Sequence, residues 1–194
     1  VDGGSKDKTI NLIKKSGFKW VLSPILRRSY QMNLGAEFAQ GDILLFLHSD
    51  TILPPNFTDL VNCVCEKKDF IAGAFYLKIA SNKSIFRWLE ILIKVRSHLF
   101  SLPYGDQGIF LTKETFTQLK GYRDLAIMED FDIIQRLKKK GKIYLVKDAV
   151  ITSARRWEKL GILQTTLINQ IIIIGYYLGI NSEKLAKIYR QYKK

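Results

Sequence analysis

Cysteine, proline and acid are all scarce in this sequence, and each scarcity removes a class of protein. The two cysteines, Cys63 and Cys65, stand two residues apart on a segment that reads as a helix, where their side chains diverge too far for a disulfide. A disulfide-stapled secreted scaffold is excluded, and a reducing cytosol fits the thiols best. Without a histidine beside them they make no zinc site and read as small core or surface residues. Only four prolines occur, three of them at Pro54, Pro55 and Pro103, so no proline-rich linker divides the chain.

Long apolar runs are missing too. Residues 162–180 come nearest, but Gln164, Thr165, Thr166, Asn169 and Gln170 interrupt them, short of the roughly 20 predominantly apolar residues that span a bilayer. The segment reads as a helix packed on the core or lying on a membrane surface. Arg155, Arg156 and Lys159 precede it, and Lys184, Lys187, Arg190, Lys193 and Lys194 follow, a basic flank suited to anionic lipid. A C-terminal helix with solvated basic neighbours is the plainer alternative. No charged-then-apolar leader opens the chain and Val1 stands first, so there is no secretory signal to interpret and the natural N-terminus is expected upstream.

What is present is the composition of a folded domain: 47% hydrophobic and 25% charged residues over 194 positions, enough for one substantial core. Lys and Arg outnumber Asp and Glu by 31 to 18, and the net charge of +13 favours anionic partners: phosphates, nucleic acid or acidic lipid. Short apolar runs alternate with amphipathic segments, which predicts an α/β fold with a largely parallel sheet. The clearest strand covers residues 43–48, an unbroken apolar run that ends on Ser49-Asp50 and reads as buried on both faces. Further strands are expected at 18–22, 72–79, 109–112 and 143–146, and helices at 8–15, 31–39, 57–67 and 130–140.

Several short motifs could carry chemistry. Val1-Asp2-Gly3-Gly4-Ser5 reads as a strand end turning into a helix, where glycines admit a ligand to the backbone and Asp2 can accept from a base or ribose; an ordinary connection would look the same. His48-Ser49-Asp50-Thr51 lies beyond the carboxyl end of the clearest strand, where such sheets present ligands. A carboxylate there can hold Mg²⁺ or Mn²⁺ shared with a diphosphate; His48 suits a core role as well as ligation. Gly105-Asp106-Gln107-Gly108 sets an acid and an amide between two glycines, a loop that could grip a hydroxylated acceptor. Glu129-Asp130 opens a helix, where the dipole favours carboxylates in any protein. Arg155-Arg156-Trp157 joins two cations to an aromatic ring, suited to phosphate or to nucleic acid.

In this order, and with Arg28, Gln31 and Asn33-Leu34-Gly35-Ala36, these motifs resemble the family-2 glycosyltransferases of the GT-A fold, over residues 1 to about 158. The wording is most similar to a bacterial branch labelled arsenosugar-biosynthesis or selenodomain-associated glycosyltransferases. The resemblance implies a Rossmann-like, mixed and mainly parallel sheet flanked by helices. It also implies a strand, a helix and most of a second strand ahead of Val1; without them the stretch is expected to be unstable or inactive alone. Residues 1–194 are expected to form one glycosyltransferase domain, a catalytic core over 1–158 and a C-terminal helical region over 159–194.

The resemblance further implies roles. Asp2, with Gly3, Gly4 and Ser5, meets the nucleotide and Arg28 helps to bind it; Asp50 is the metal-binding acid of an Asp-x-Asp motif whose first acid is here His48. Asp106 and Gln107 meet substrate. Asp130, paired with Glu129, is the catalytic base, and Arg155, Arg156 and Trp157 lie near the diphosphate and acceptor. Ala154 departs from the fuller Gln-x-x-Arg-Trp motif of processive synthases, so transfer of a single sugar is expected. The implied activity is metal-assisted, inverting transfer from a nucleotide sugar such as a UDP-sugar to the hydroxyl of a small-molecule or lipid-linked acceptor, in the cytoplasm or at the inner face of the membrane. The competing readings are an inactive sugar-nucleotide or lipid-surface module and a nucleic-acid-binding protein; no reader module accompanies the charge, and nucleic acid is not expected as a partner.

Overall fold

The structure, a computed structural model, describes residues 1–192. Its centre is a five-stranded mixed sheet in the order β1-β4-β3-β5-β2, formed by β1 (Ile43–Phe46), β2 (Thr51–Ile52), β3 (Phe70–Ala80), β4 (Ile109–Thr112) and β5 (Lys142–Ser153). The α/β expectation holds, but the balance of directions differs: β3 and β5 form a long parallel ladder, whereas β1 with β4, β3 with β4 and β2 with β5 are antiparallel. Strand β1 is an edge strand, and of its residues only Leu44 is fully buried, so it is not covered on both faces as its apolar run suggested.

Alternation along the strands sends side chains into two layers. On one face Leu44, Ala72, Ile109 and Leu111 meet α2 (Arg28–Phe38), α5 (Lys113–Gln118) and α6 (Glu129–Lys138) through Ala36, Phe116, Ile133, Ile134 and Leu137. On the other, Phe75, Leu77, Ile79 and Phe110 meet α3 (Phe57–Cys65) and α4 (Ser84–Phe100) through Val61, Val64 and Phe86. Gly73 opposes Phe110 in the β3–β4 pairing, and a Cβ on it would stand 2.1 Å from the Phe110 ring, so only glycine lets that ring lie flat across β3. Cys63 and Cys65, at the end of α3, are free thiols.

The N-terminal segment carries α1 (Thr9–Ser16), but the strand expected at 18–22 reduces to one parallel bridge between Leu22 and Asp2. Phe18 is 77% exposed, so no layer covers the alternation that suggested a strand. At the other end α7 (Arg155–Leu160), α8 (Ile162–Tyr177) and α9 (Ser182–Gln191) close the described chain. Ile168 and Ile172 of α8 form a small third core with Leu185, while Leu163, Leu167 and Ile174 of the same helix stay exposed. Among the described residues no helix is long and apolar enough to cross a membrane. Lys193 and Lys194, part of the basic flank, lie outside the described residues.

Candidate active site

The chain turns sharply between β1 and β2, and that turn delivers Asp50. Thr51 N donates to His48 O at 3.1 Å, and Ser153 N donates to Asp50 O at 3.2 Å, which ties the turn to the end of β5. Arg155, the first residue of α7, thereby comes to 3.6 Å from Asp50. Both side chains are well exposed, so the pair contributes about 0–1 kcal/mol at most and yields readily to a competing ligand.

A cavity of about 660 Å³ runs along β1 and α2, and its polar end gathers Arg28, His48, Asp50, Gly105 and Asp130. Helix α6 starts from Met128, whose left-handed backbone (φ 72°) costs a non-glycine residue energy and turns Glu129 and Asp130 toward this end. Asp130 accepts from Gly105 N at 2.9 Å and from Phe131 N at 2.8 Å, which holds its carboxylate still with lone pairs to spare. Glu129 is buried instead. Its carboxylate receives Arg28 Nε at 2.7 Å, and burial pushes its pKa up, as does Asp130, while Arg28 pulls it down. For Arg28 burial acts to lower the pKa, yet Asp130 and Glu129 outweigh it and raise it. Arg28 also stands 3.7 Å from Asp130, so it bridges the acidic pair.

A Cβ on Gly105 would fall 2.9 Å from both Asp130 Oδ2 and His48 Nε2, so the glycine clears the space between a carboxylate and an imidazole. His48 Nε2 is buried with no hydrogen-bond partner, and burial, followed by Arg28, lowers the ring's pKa and favours its neutral form. Among the described residues no cluster of three or more His, Cys, Asp or Glu side chains could cage a metal. The residues present fit a cation shared with a substrate diphosphate: Asp50 offers an exposed carboxylate and His48 an unpartnered nitrogen.

One expected contact is corrected by the fold. Gln107 is wholly buried: its Oε1 receives Ser97 Oγ, Arg96 Nη2 and Tyr104 N, and its Nε2 donates to Phe75 O, so the side chain exposes no polar atom to an acceptor. It fastens the loop to α4 and β3, and its neighbour Asp106 keeps a buried Oδ1 without a partner. Trp157 is half-buried and packs edge-on to Phe86 against the second core. Asp2 turns its carboxylate back on its own loop, receiving Gly4 N, Ser5 N and Ser5 Oγ, and those Ser5 bonds hold its pKa down. Gly3 leaves room for Gln31, whose Nε2 would lie 2.5 Å from a Cβ there. Arg156 is half-buried and leaves Asp50 to Arg155. Arg96, which sequence reading passed over, lies on α4 and donates to Gln107 Oε1; with Lys94 two residues before it and Glu90 and Arg87 on the same helix, its charge did not stand out in the sequence.

The family model described as Glycosyl transferase family 2 matches residues 1–123. Glucosyl-3-phosphoglycerate synthase from Mycobacterium tuberculosis, solved in complex with phosphoglyceric acid, shares the fold with a TM-score of 0.58 at 19% identity, over 92% of this chain and 68% of that one. A second solved structure, described as a mycobacterial protein, aligns with a TM-score of 0.48 at 19% identity, over 78% of this chain and 53% of that one. At this identity the likeness is one of fold. No curated protein matches the chain.

Proposed function

Since the chain belongs to glycosyl transferase family 2, the reaction class is sugar transfer, and we propose that it moves one sugar from a nucleoside-diphosphate sugar to an acceptor hydroxyl with inversion. The observation that carries the reading is Asp130, held by two backbone N–H groups at the polar end of the cavity, across Gly105 from His48. In this position Asp130 takes the proton of the acceptor hydroxyl as its oxygen attacks the anomeric carbon. The bond from that carbon to the diphosphate breaks on the opposite face, which inverts the centre. Arg155 meets the charge that collects on the departing diphosphate, and Arg28 keeps Glu129 and Asp130 in place. Asp50 and His48 would hold Mg²⁺ or Mn²⁺, which when bound neutralises diphosphate charge. The nucleoside rests against the Gly3–Ser5 turn. Asp2 orders that turn and does so through both carboxylate oxygens.

The apolar outer face of α8, with basic residues on both sides of it in sequence, supports contact with an anionic membrane surface on the cytoplasmic side. A donor-hydrolysis screen with a panel of nucleotide sugars and Mn²⁺ tests the central reading. Hydrolysis of at least one donor above background, lost in Asp130→Asn with acceptor present, is expected; inertness toward the whole panel together with no binding of UDP, GDP or dTDP would overturn it.

A further inference from the structure

Helix α4 is apolar on two faces. The inner one sends Phe86, Leu89 and Ile93 into the second core. The outer one carries Ile85, Trp88, Ile91, Leu92, Val95 and Leu99 into solvent, with Trp88, Leu92 and Leu99 at least 65% exposed. At 3.6 residues per turn these six side chains fill an arc of about 120° on the side away from the core. Core packing does not need them, and a contiguous exposed apolar arc marks a surface that meets a partner. Arg87, Lys94 and His98 stand exposed along one flank of the arc, and no exposed residue of the helix is acidic. Its one acid, Glu90, is largely buried and accepts from Ile79 N at 2.6 Å and from Arg87 Nη2 at 3.0 Å.

We infer that the outer face of α4 docks on an anionic membrane surface, with Trp88 and its aliphatic neighbours in the lipid interface and the basic flank against lipid phosphates. Charge and size both choose lipid over a second copy of the chain. Lys94 lies 4.8 Å from the Tyr76 ring centroid and joins no ion pair among the described residues, and two copies of a chain of net charge +13 would bring basic flanks together with no exposed acid on this face to answer them. A helix of 17 residues is about 25 Å long and about 10 Å across, so this face offers roughly 250 Å² against the about 800 Å² per partner of a stable protein interface. Ile85, Trp88, Leu92, Val95 and Leu99 follow coiled-coil spacing, but over 15 residues they fall short of the about three to four sustained heptads that a partner helix needs. The inference builds on the membrane contact proposed for α8 and gives it a second helix. The two share a base: Phe86 of α4, Trp157 of α7 and Ile162 of α8 pack in one cluster, and Lys83 meets Glu158 at 3.4 Å. From its inner side α4 also donates Arg96 Nη2 and Ser97 Oγ to Gln107, so the docking helix holds the loop whose Gly105 N bonds Asp130.

The test uses the whole chain and vesicles of phosphatidylglycerol and phosphatidylcholine in equal parts, at low salt. The wild type should co-sediment with them, and Trp88→Glu with Leu92→Glu should lower the partition coefficient about 10-fold or more while UDP binding stays unchanged. Brominated acyl chains should quench part of the wild-type tryptophan emission, and most of that quenching should be lost in Trp88→Phe, which a purely structural role for the helix would not produce. A partition coefficient equal in wild type and the double variant overturns the inference, as does quenching unchanged in Trp88→Phe or a wild type that ignores the vesicles. Should the double variant fail to fold, Leu92→Gln with Leu99→Gln carries the same test. A wild-type dimer that the double variant splits, with vesicle binding unaffected, assigns the face to a second copy and overturns the lipid reading. Release by Leu163→Glu with Leu167→Glu, while the α4 variants bind as the wild type does, leaves the membrane to α8 alone and overturns the role of α4 separately.

Discussion

Asp130 and Glu129 are neighbours in sequence with opposite fates. Residues adjacent on a helix point about 100° apart, so one carboxylate can line the cavity while the other is buried against Arg28. Asp130→Asn keeps the shape and removes the proton acceptor; turnover should fall by about two to four orders of magnitude with donor affinity nearly intact. A carboxylate that merely starts a helix would cost about 0.3–1 kcal/mol of stability and leave turnover untouched, so turnover and melting temperature measured together separate the two roles. Asp50 is the exposed acid at the turn after β1. Asp50→Ala should abolish Mn²⁺-dependent UDP binding, because it removes the exposed carboxylate that this turn offers to a cation; unchanged Mn²⁺ dependence in a titration would dismiss the assignment.

Helix α6 is anchored from both sides through one buried acid. Asp132 receives Arg136 Nε at 2.7 Å and Arg123 Nη1 at 3.1 Å, and Tyr176 of α8 donates its hydroxyl to Asp132 Oδ1 at 2.9 Å. Burial, with that hydrogen bond, pushes the Tyr176 phenol from 10.0 up to about 12. The folded state therefore holds this proton more tightly than the unfolded chain. The stabilisation is complete below pH 10 and is lost as the pH rises through about 12. The difference in unfolding free energy between wild type and Tyr176→Phe should be constant up to pH 10 and shrink above it; a difference that stays flat to pH 12 would show that the hydroxyl contributes nothing through this bond. Helix α8 is also apolar on its outer side, where Leu163 is 87% exposed. If that face meets lipid, the whole chain should co-sediment with anionic vesicles at low salt, and Leu163→Glu with Leu167→Glu should release it. Failure of the wild type to bind would make the face a covered surface of another kind.

At the scale of the molecule, the charge of +13 and the cavity make separate demands on a partner. A surface field attracts any polyanion, so DNA should bind weakly at low salt and lose affinity steeply as salt is raised. UDP, gripped at the polar end of the cavity, should keep most of its affinity over the same range. Salt titrations of both ligands distinguish the two, and DNA binding that outlasts UDP binding would favour a nucleic-acid function.

The sequence by itself determined the class of fold, the place of the β1 turn and the family, because these rest on local signals: apolar runs of strand length, glycines at turns, and acids just beyond strand ends. It also placed β4 within its true bounds and the helices that end up as α2, α3 and α6 to within a few residues. Helix α4 escaped notice for a physical reason. Phe86, Leu89 and Ile93 face the core while Ile85, Trp88, Leu92 and Leu99 are exposed, so apolar residues lie on the outer side of the helix as well as the inner and blur its boundary with the apolar strands before and after it. With α4 unseen, so were Arg96 and Ser97, and Gln107 looked free to meet a substrate when its hydrogen bonds were committed to partners from distant parts of the chain. Strand direction and the packing of Trp157 on Phe86 were likewise settled only by tertiary packing, since a motif records which residues are near in sequence, and whether a side chain faces a cavity or the core depends on what the rest of the chain lays against it.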